Sequence, residues 1–171
     1  MEEKTLLKAV IVFPIRARKV LLATKTKEGN KIGAGCRNGY GGGIEPGETA
    51  IDAAVRELEE ESGLIARPEH LEKVAEIAFH NQKENGMFST CRCEVFVIRM
   101  WRGSEHATAT MLDPRWFSVK KLPLGEMLPA DPMWVPLVVN GWRITGEVWY
   151  GPRQKTLLMK PRIAYVAGFK T

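Results

Sequence analysis

Gly42 to Leu64 reads GGIEPGETAIDAAVRELEEESGL, and its spacing predicts a helix from about Thr49 to Ser62. Proline and glycine open it in a turn, Thr49 is the N-cap candidate with Asp52 three residues on, and Gly63 stops it. At about 100° per residue, Ile51, Ala54, Val55, Leu58 and Ser62 fall on one stripe, while Glu57, Glu60 and Glu61 gather on another. One face packs and the other collects negative charge. Glu57 and Glu61 are like charges four apart, and all three acids lie in the C-terminal half, where the helix dipole is also negative. Each effect opposes the arrangement by roughly tenths of a kcal/mol, so something cationic should compensate. Carboxylates clustered at helical spacing suit a hard, oxygen-seeking divalent ion that bridges protein to substrate phosphates, Mg²⁺ first and Mn²⁺ as the alternative.

A solvated acidic face would read the same way in isolation, but its surroundings argue against it. Glu48 precedes the helix, and Arg56 stands four residues after Asp52 and four before Glu60, so a fixed cation is interleaved with the acids. The turn GYGGG just upstream lets backbone approach a ligand or metal closely. Gly42, Glu48, Arg56, Glu57, Leu58, Glu60, Glu61, Gly63 and Leu64 together resemble a complete Nudix box, with no defining position substituted. GAGCRNGYGGG before the box and LPADPMWVPLVVNGWRITGEVWY after it are similar to the oxidised-purine nucleoside triphosphatases of the MutT-like branch. That flanking likeness is looser than the box.

The chain has 171 residues, 44% of them hydrophobic, which suits one domain over residues 1–171 with a substantial core. A formal charge of +5, with acid concentrated in one helix, leaves the remaining surface basic and polyanionic small ligands plausible. Nucleic acid is a weaker partner, since there is no long basic run and no RNA-binding aromatic motif. The 3 cysteines show no CxxC spacing, hence neither a disulfide framework nor a zinc signature. Cys91 and Cys93 alternate with Arg92 and Glu94 and read as small residues on the inner face of a strand. With no signal-peptide pattern and no membrane-length apolar run, a cytoplasmic monomer or weak dimer is expected.

Along the chain, Thr5–Phe13 reads as a strand ended by Pro14, Val20–Thr24 as its partner, and PIRARK between them as a solvated turn in preference to part of a phosphate-facing surface. His70–Phe79 reads as a turn leading into a strand, joined through NQKENG to a strand over Thr90–Met100. Trp116–Val119 is a short strand and Leu122–Met127 a brief turn or helix. Asp131–Val139 is a second helix, with Asp131 as N-cap and Pro132 at the first helical position, despite Pro136. Two closing strands are expected, one carrying Trp142, Ile144 and Gly146 and the other Val148 and Tyr150. Strands interrupted by two helices give an α+β fold. The Nudix resemblance sharpens this to an αβα sandwich with a mixed β-sheet between helices.

The resemblance implies hydrolysis of a nucleoside diphosphate linked to another group, with water attacking a bridging phosphorus. Glu57, Glu60, Glu61 and the Gly42 carbonyl would hold the metal, Arg56 would orient the carboxylates through a salt bridge to Glu48, and Lys25 would face the phosphates. Lys27 and Lys31 share the Lys25 loop, which reads equally as solvated. Asn38 and Asp131 would read a purine edge, with Phe79 and Trp134 closing the pocket. The chain departs from the pattern in placing Met111 where a further acid is usual, which leaves the general base open among Glu60, Glu61 and Glu105. It also carries Ala130 in place of the first acid of the pair and Leu128 in place of an aromatic. The leading expectation is a pyrophosphatase for oxidised purine nucleoside triphosphates, releasing monophosphate and pyrophosphate in nucleotide-pool sanitation. Dinucleoside polyphosphates, nucleotide sugars and capped RNA are alternative substrates, and a non-catalytic nucleotide sensor is the competing class.

Overall fold

The computed structural model describes residues 7–28 and 32–170, so Thr5, Leu6 and Lys31 of the reading above lie outside the described residues. The strands are β1 (Lys8–Arg16), β2 (Lys19–Lys25), β3 (Arg37–Asn38), β4 (Tyr40–Gly43), β5 (Leu71–Gln82), β6 (Phe88–Ile98), β7 (Met111–Ser118), β8 (Ile144–Tyr150) and β9 (Arg162–Tyr165). The helices are α1 (Ala50–Ser62) and α2 (Asp131–Val139). The sheet runs β3-β2-β1-β6-β5-β8-β9, with β4 also beside β1 and β7 beside β2. β1 pairs parallel with β6, and β5 parallel with β8, while the other pairings are antiparallel, so the sheet is mixed.

Alternation along β1 sends its side chains to two separate cores. Val10 and Val12 join Leu21, Tyr40, Ala54 and Leu58 on the α1 side. Phe13 and Ile15 join Ile77, Phe79, Val95 and Trp134 on the α2 side. A helix therefore covers each face, which is the αβα sandwich expected. Among the described residues, no helix is long and apolar enough to cross a membrane.

Helix α1 has both predicted ends. Thr49 and Asp52 form a reciprocal capping box, and Gly63 closes the helix at φ 82° while donating to the Glu59 carbonyl. Of the expected stripe, Ala54, Leu58 and Ser62 are buried and Val55 half-buried, while Ile51 is exposed and Ala53 is buried instead. The helix lies close to the sheet, so alanines suit the contact face and Ile51 rotates outward.

Other expectations need correction. Strand β1 runs through Pro14 to Arg16, because a proline φ fits extended backbone, Phe13 and Pro14 stay in register with β6, and Ile15 and Arg16 pair with β2. Ala17 and Arg18 then turn the hairpin with φ of 50° and 60°. The glycine run is a strand, β4, with Gly41 opposite Ile11 and Gly42 opposite Val10. Asp131 is not the N-cap; Ala130 is, and Asp131 is the first helical residue. One strand, β8, spans the tail read as two, Trp142 is exposed outside it, and the second closing strand is β9. The alternation of β8 passes unbroken through Gly146, which has no positive φ.

A Cβ on Gly41 would sit 1.9 Å from the Val10 carbonyl oxygen, whereas one on Gly125 would meet nothing within 4 Å. Gly41→Ala is therefore expected to cost about 3 kcal/mol or more of stability, since backbone must move, and Gly125→Ala to stay within about 0.5 kcal/mol. Urea denaturation of both variants checks this.

Candidate active site

Arg56 is the centre of the charge cluster. Its Nε and one terminal nitrogen grip Glu48 at 2.7 and 2.9 Å, a two-point pairing that also places an N–H on the Gly43 carbonyl at 3.1 Å. The other terminal nitrogen reaches Glu57 at 2.9 Å and Glu60 at 3.3 Å. The same guanidinium thus ties the end of β4, the turn before α1 and the acidic face of the helix. These hydrogen bonds from Arg56 draw the Glu48 carboxyl down to about 2, helped by the Glu45 N–H that it accepts. Asp52, four residues before Arg56, is engaged with Thr49 instead.

The three acids of the helix differ in surroundings. The Glu60 side chain is 59% exposed and the Glu57 side chain 13%. A Cβ on Gly42 would overlap the Glu57 carboxylate at 2.5 Å, so glycine is what allows that carboxylate to lie against the backbone. Glu61 accepts the Gly41 N–H at 3.2 Å and reaches the interior. Burial pushes its carboxyl up to about 7 against that hydrogen bond, with Glu57 and Glu60 adding to the rise and Lys25 opposing it.

Among the described residues, no three such side chains converge on one point. Arg56 holds Glu57 and Glu60 toward itself, so closing around an ion requires them to turn from the guanidinium. The donor set still fits a hard divalent cation: carboxylates, a nearby backbone carbonyl and a buried acid whose charge has too little compensation. Burial is the larger source of that imbalance, and the like charges of Glu57 and Glu60 on the same helix add to it.

Beside Glu61 a cavity of 170 Å³ opens between β1, β4 and α2. It is lined by Lys25, Asn38, Gly42, Glu61, Phe79, Asp131 and Trp134, so the residues proposed for phosphate and base share one space with two of the four proposed for metal, Gly42 and Glu61. Arg56, Glu48, Glu57 and Glu60 stand outside it. Trp134 packs edge-on to Phe79 with ring centroids 6.4 Å apart, and Phe79 stacks on Tyr150 at 6.2 Å. The Asn38 oxygen accepts the Gly39 N–H at 2.8 Å, which turns its amide nitrogen the other way. A wider trough of 720 Å³ lies elsewhere on the sheet, lined by residues such as Lys8, Arg92, Glu94 and Glu147. It holds neither the helix acids nor an aromatic wall, and Glu94 there is neutralised by Lys73 at 2.5 Å. The chemistry therefore belongs to the smaller cavity.

Sequence reasoning missed part of the lining. Cys91 and Cys93, read as inner-face residues of a strand, do face inward, and both border the cavity. Gln154 arrives from the turn after β8 and Leu128 from the segment before α2. The alternation in β6 could have placed the cysteines; nothing local marks Gln154. Tyr150 also matters, because its hydroxyl accepts the Ala130 N–H at 3.1 Å beside the cavity. Met111 is buried in the lining and brings no charge. Glu105 is held by the Trp116 indole at 2.8 Å, and its charge raises the pKa of the buried Tyr40 phenol after burial and Glu61.

Hard oxygen donors beside an aromatic slot, on a sheet between two helices, are how an α+β phosphoanhydride hydrolase is built. A model of the NUDIX domain matches residues 5–138, well over half of the chain, and the protein belongs to the NUDIX family and is a Nudix hydrolase. The oxidized purine nucleoside triphosphate hydrolase of Danio rerio is 35% identical over 136 residues, covering 80% of this chain and 81% of the relative. The Mus musculus protein of the same name is 33% identical over 137 residues, covering 80% and 82%. In fold, a MutT protein from Bacillus halodurans superposes with a TM-score of 0.75 at 21% identity, covering 92% of this chain and 97% of that one. Gln154 lies beyond the family match.

Asp131 supplies a stability test independent of catalysis. It is 2% exposed, and burial pushes its carboxyl up to about 7, outweighing the Leu128 N–H on Oδ2 at 3.1 Å and the Trp134 indole, which has no partner of good geometry. In the unfolded chain this acid ionises near its ordinary value of 3.8. Between those limits the folded state binds more protons, so this group's contribution falls as pH rises from about 4 to about 7 and is flat above. A shift of that size is worth up to about 4 kcal/mol. Asp131→Asn is expected to gain stability relative to wild type across that window, measured by denaturation at pH 4.5, 6 and 8. A difference independent of pH contradicts it.

Proposed function

We propose that this Nudix hydrolase cleaves purine nucleoside triphosphates, oxidised forms included, to nucleoside monophosphate and pyrophosphate. The observation that carries the reading is the shared cavity, which Glu61 lines together with Asn38, Asp131, Phe79 and Trp134. A base seated against the aromatics extends its phosphates toward Lys25 and the acidic end of α1. The names of the two animal relatives support the same substrate class. The free cysteines and the lack of a membrane-crossing helix among the described residues support a cytoplasmic location.

In this reading Glu57, Glu60, Glu61 and the Gly42 carbonyl hold Mg²⁺, or Mn²⁺ in its place. When bound, the ion neutralises phosphate charge and lowers the pKa of the attacking water. Arg56, fixed by Glu48, keeps the acids oriented before substrate arrives. Of the three candidates for the base, Glu61 is favoured. It alone of the three lines the cavity, within reach of a water beside the phosphates. Glu60 is largely solvent-facing and Glu105 is committed to the Trp116 indole. Asn38 donates and Asp131 exchanges a hydrogen bond with the purine edge.

Glu61→Gln is expected to lower turnover by roughly two to four orders of magnitude with the fold intact. Glu60→Gln is expected to fall less than Glu61→Gln, because its side chain faces solvent. Ala130 leaves one acid where a pair is usual, and a missing hydrogen bond to a buried base is worth roughly ten- to hundredfold in discrimination. The enzyme should therefore prefer purines and separate 8-oxo-dGTP from dGTP less sharply than a site with both acids. Catalytic efficiencies on 8-oxo-dGTP, dGTP, dATP and dCTP, for wild type, Asn38→Ala and Asp131→Asn, test this. A preference for dCTP, or base preference unchanged in both variants, contradicts it.

A further inference from the structure

The turn after β8 is built in an unusual way. Arg153 and Gln154 take φ of 57° and 56° in succession, a left-handed conformation that side-chain-bearing residues rarely adopt twice running. The turn is locked on both sides: Gln154 N–H donates to the Gly151 carbonyl at 3.0 Å, Gly151 N–H to the Thr156 carbonyl at 2.9 Å, and Leu157 bridges back to Tyr150. Its effect is to bring the Gln154 side chain to the cavity that Asn38 and Asp131 also line. Ala17 and Arg18 use the same left-handed pair in a hairpin, so it is the position of Gln154 at the cavity wall that points to a role there.

The orientation of the Gln154 amide follows from its anchor. Asn81 Nδ2 donates to the Phe79 carbonyl at 3.3 Å, and a carbonyl can only accept, so Asn81 Oδ1 is the atom facing Gln154. Gln154 Nε2 donates to it at 2.9 Å. Gln154 Oε1 has no hydrogen bond among the described residues. The same logic turns Asn38 outward by its nitrogen, since its oxygen is taken by the Gly39 N–H. The wall thus offers a donor from Asn38 and an acceptor from Gln154, complementary to a base edge with an oxygen acceptor and an amine donor. Guanine has both on one edge, while inosine's base lacks the amine.

We propose that Gln154 is a specificity-determining residue of the base pocket, its Oε1 accepting a hydrogen from the exocyclic 2-amino group of a guanine-type base. Gln154 supplies a base contact from outside the helix start, where Ala130 has none to give. The inference rests on the cavity binding a purine, as in the function proposed above, but not on turnover.

The test is binding of the monophosphates dGMP and dIMP, which differ only in that amine, measured by calorimetry on the wild-type chain and on Gln154→Leu and Gln154→Glu. Wild type is expected to bind dGMP about tenfold more tightly than dIMP. Gln154→Leu is expected to remove that ratio while leaving dIMP affinity near wild type, and Gln154→Glu, whose second oxygen meets the Asn81 oxygen in place of a donor, to reduce it without abolishing it. Equal binding of the two ligands by wild type, a ratio that survives in Gln154→Leu, or no binding of either overturns the proposal. A chain that shows the Gln154-dependent ratio but releases no pyrophosphate from any purine triphosphate would instead overturn the hydrolytic reading and leave this one standing.

Discussion

The Arg56–Glu48 pairing is the interaction on which the acidic end of α1 depends. Three carboxylates on a short helical surface, in the half where the helix dipole is already negative, repel each other and the dipole. The guanidinium answers this with two contacts to Glu48 and one each to Glu57, Glu60 and the Gly43 carbonyl. Because Gly43 ends β4, the pairing also fixes the helix against the sheet edge whose glycines admit the Glu57 and Glu61 carboxylates. Charge balance and site geometry are therefore one arrangement. Arginine is required for it, since a lysine would offer a single point of charge in place of a fork.

The base end of the cavity is organised by burial. Asp131 opens α2 inside the protein, and its neighbour Ala130, fully buried, caps nothing through its side chain. Tyr150 fills the position beside it, its hydroxyl taking the Ala130 N–H and its ring stacking on Phe79. The substitution of an acid by alanine is thus accommodated without an orphaned backbone donor. Ala130 therefore brings no second carboxyl beside Asp131, and this is the physical reason for the broader base tolerance proposed above.

The acidic helix was the most legible element of the sequence, because every signal for it is local: Thr49 with Asp52 at one end, Gly63 at the other, and acids spaced to share a face. The exposed Ile51 shows the limit of that reading, since periodicity gives a stripe but the closeness of helix to sheet decides which residues centre it. GYGGG looked like a turn because glycine disfavours strands in isolation, yet Gly41 is needed exactly where β4 closes on Val10. Asn38, Asp131, Phe79 and Trp134 were placed by family likeness and do meet in one cavity. Gln154 was invisible because its approach depends on β8 pairing parallel with β5 and on a left-handed turn that no glycine announces.

The central claim is that the acids beside Arg56 hold a divalent cation facing the cavity. Anomalous diffraction from a crystal containing Mn²⁺ tests it most directly. The account predicts a metal peak in contact with the Glu57 and Glu61 carboxylates and the Gly42 carbonyl, with Arg56 still paired to Glu48 and Glu57 released from the guanidinium. A metal bound elsewhere with those carboxylates unmoved, or no peak at the acidic end of α1 at saturating Mn²⁺, would contradict it.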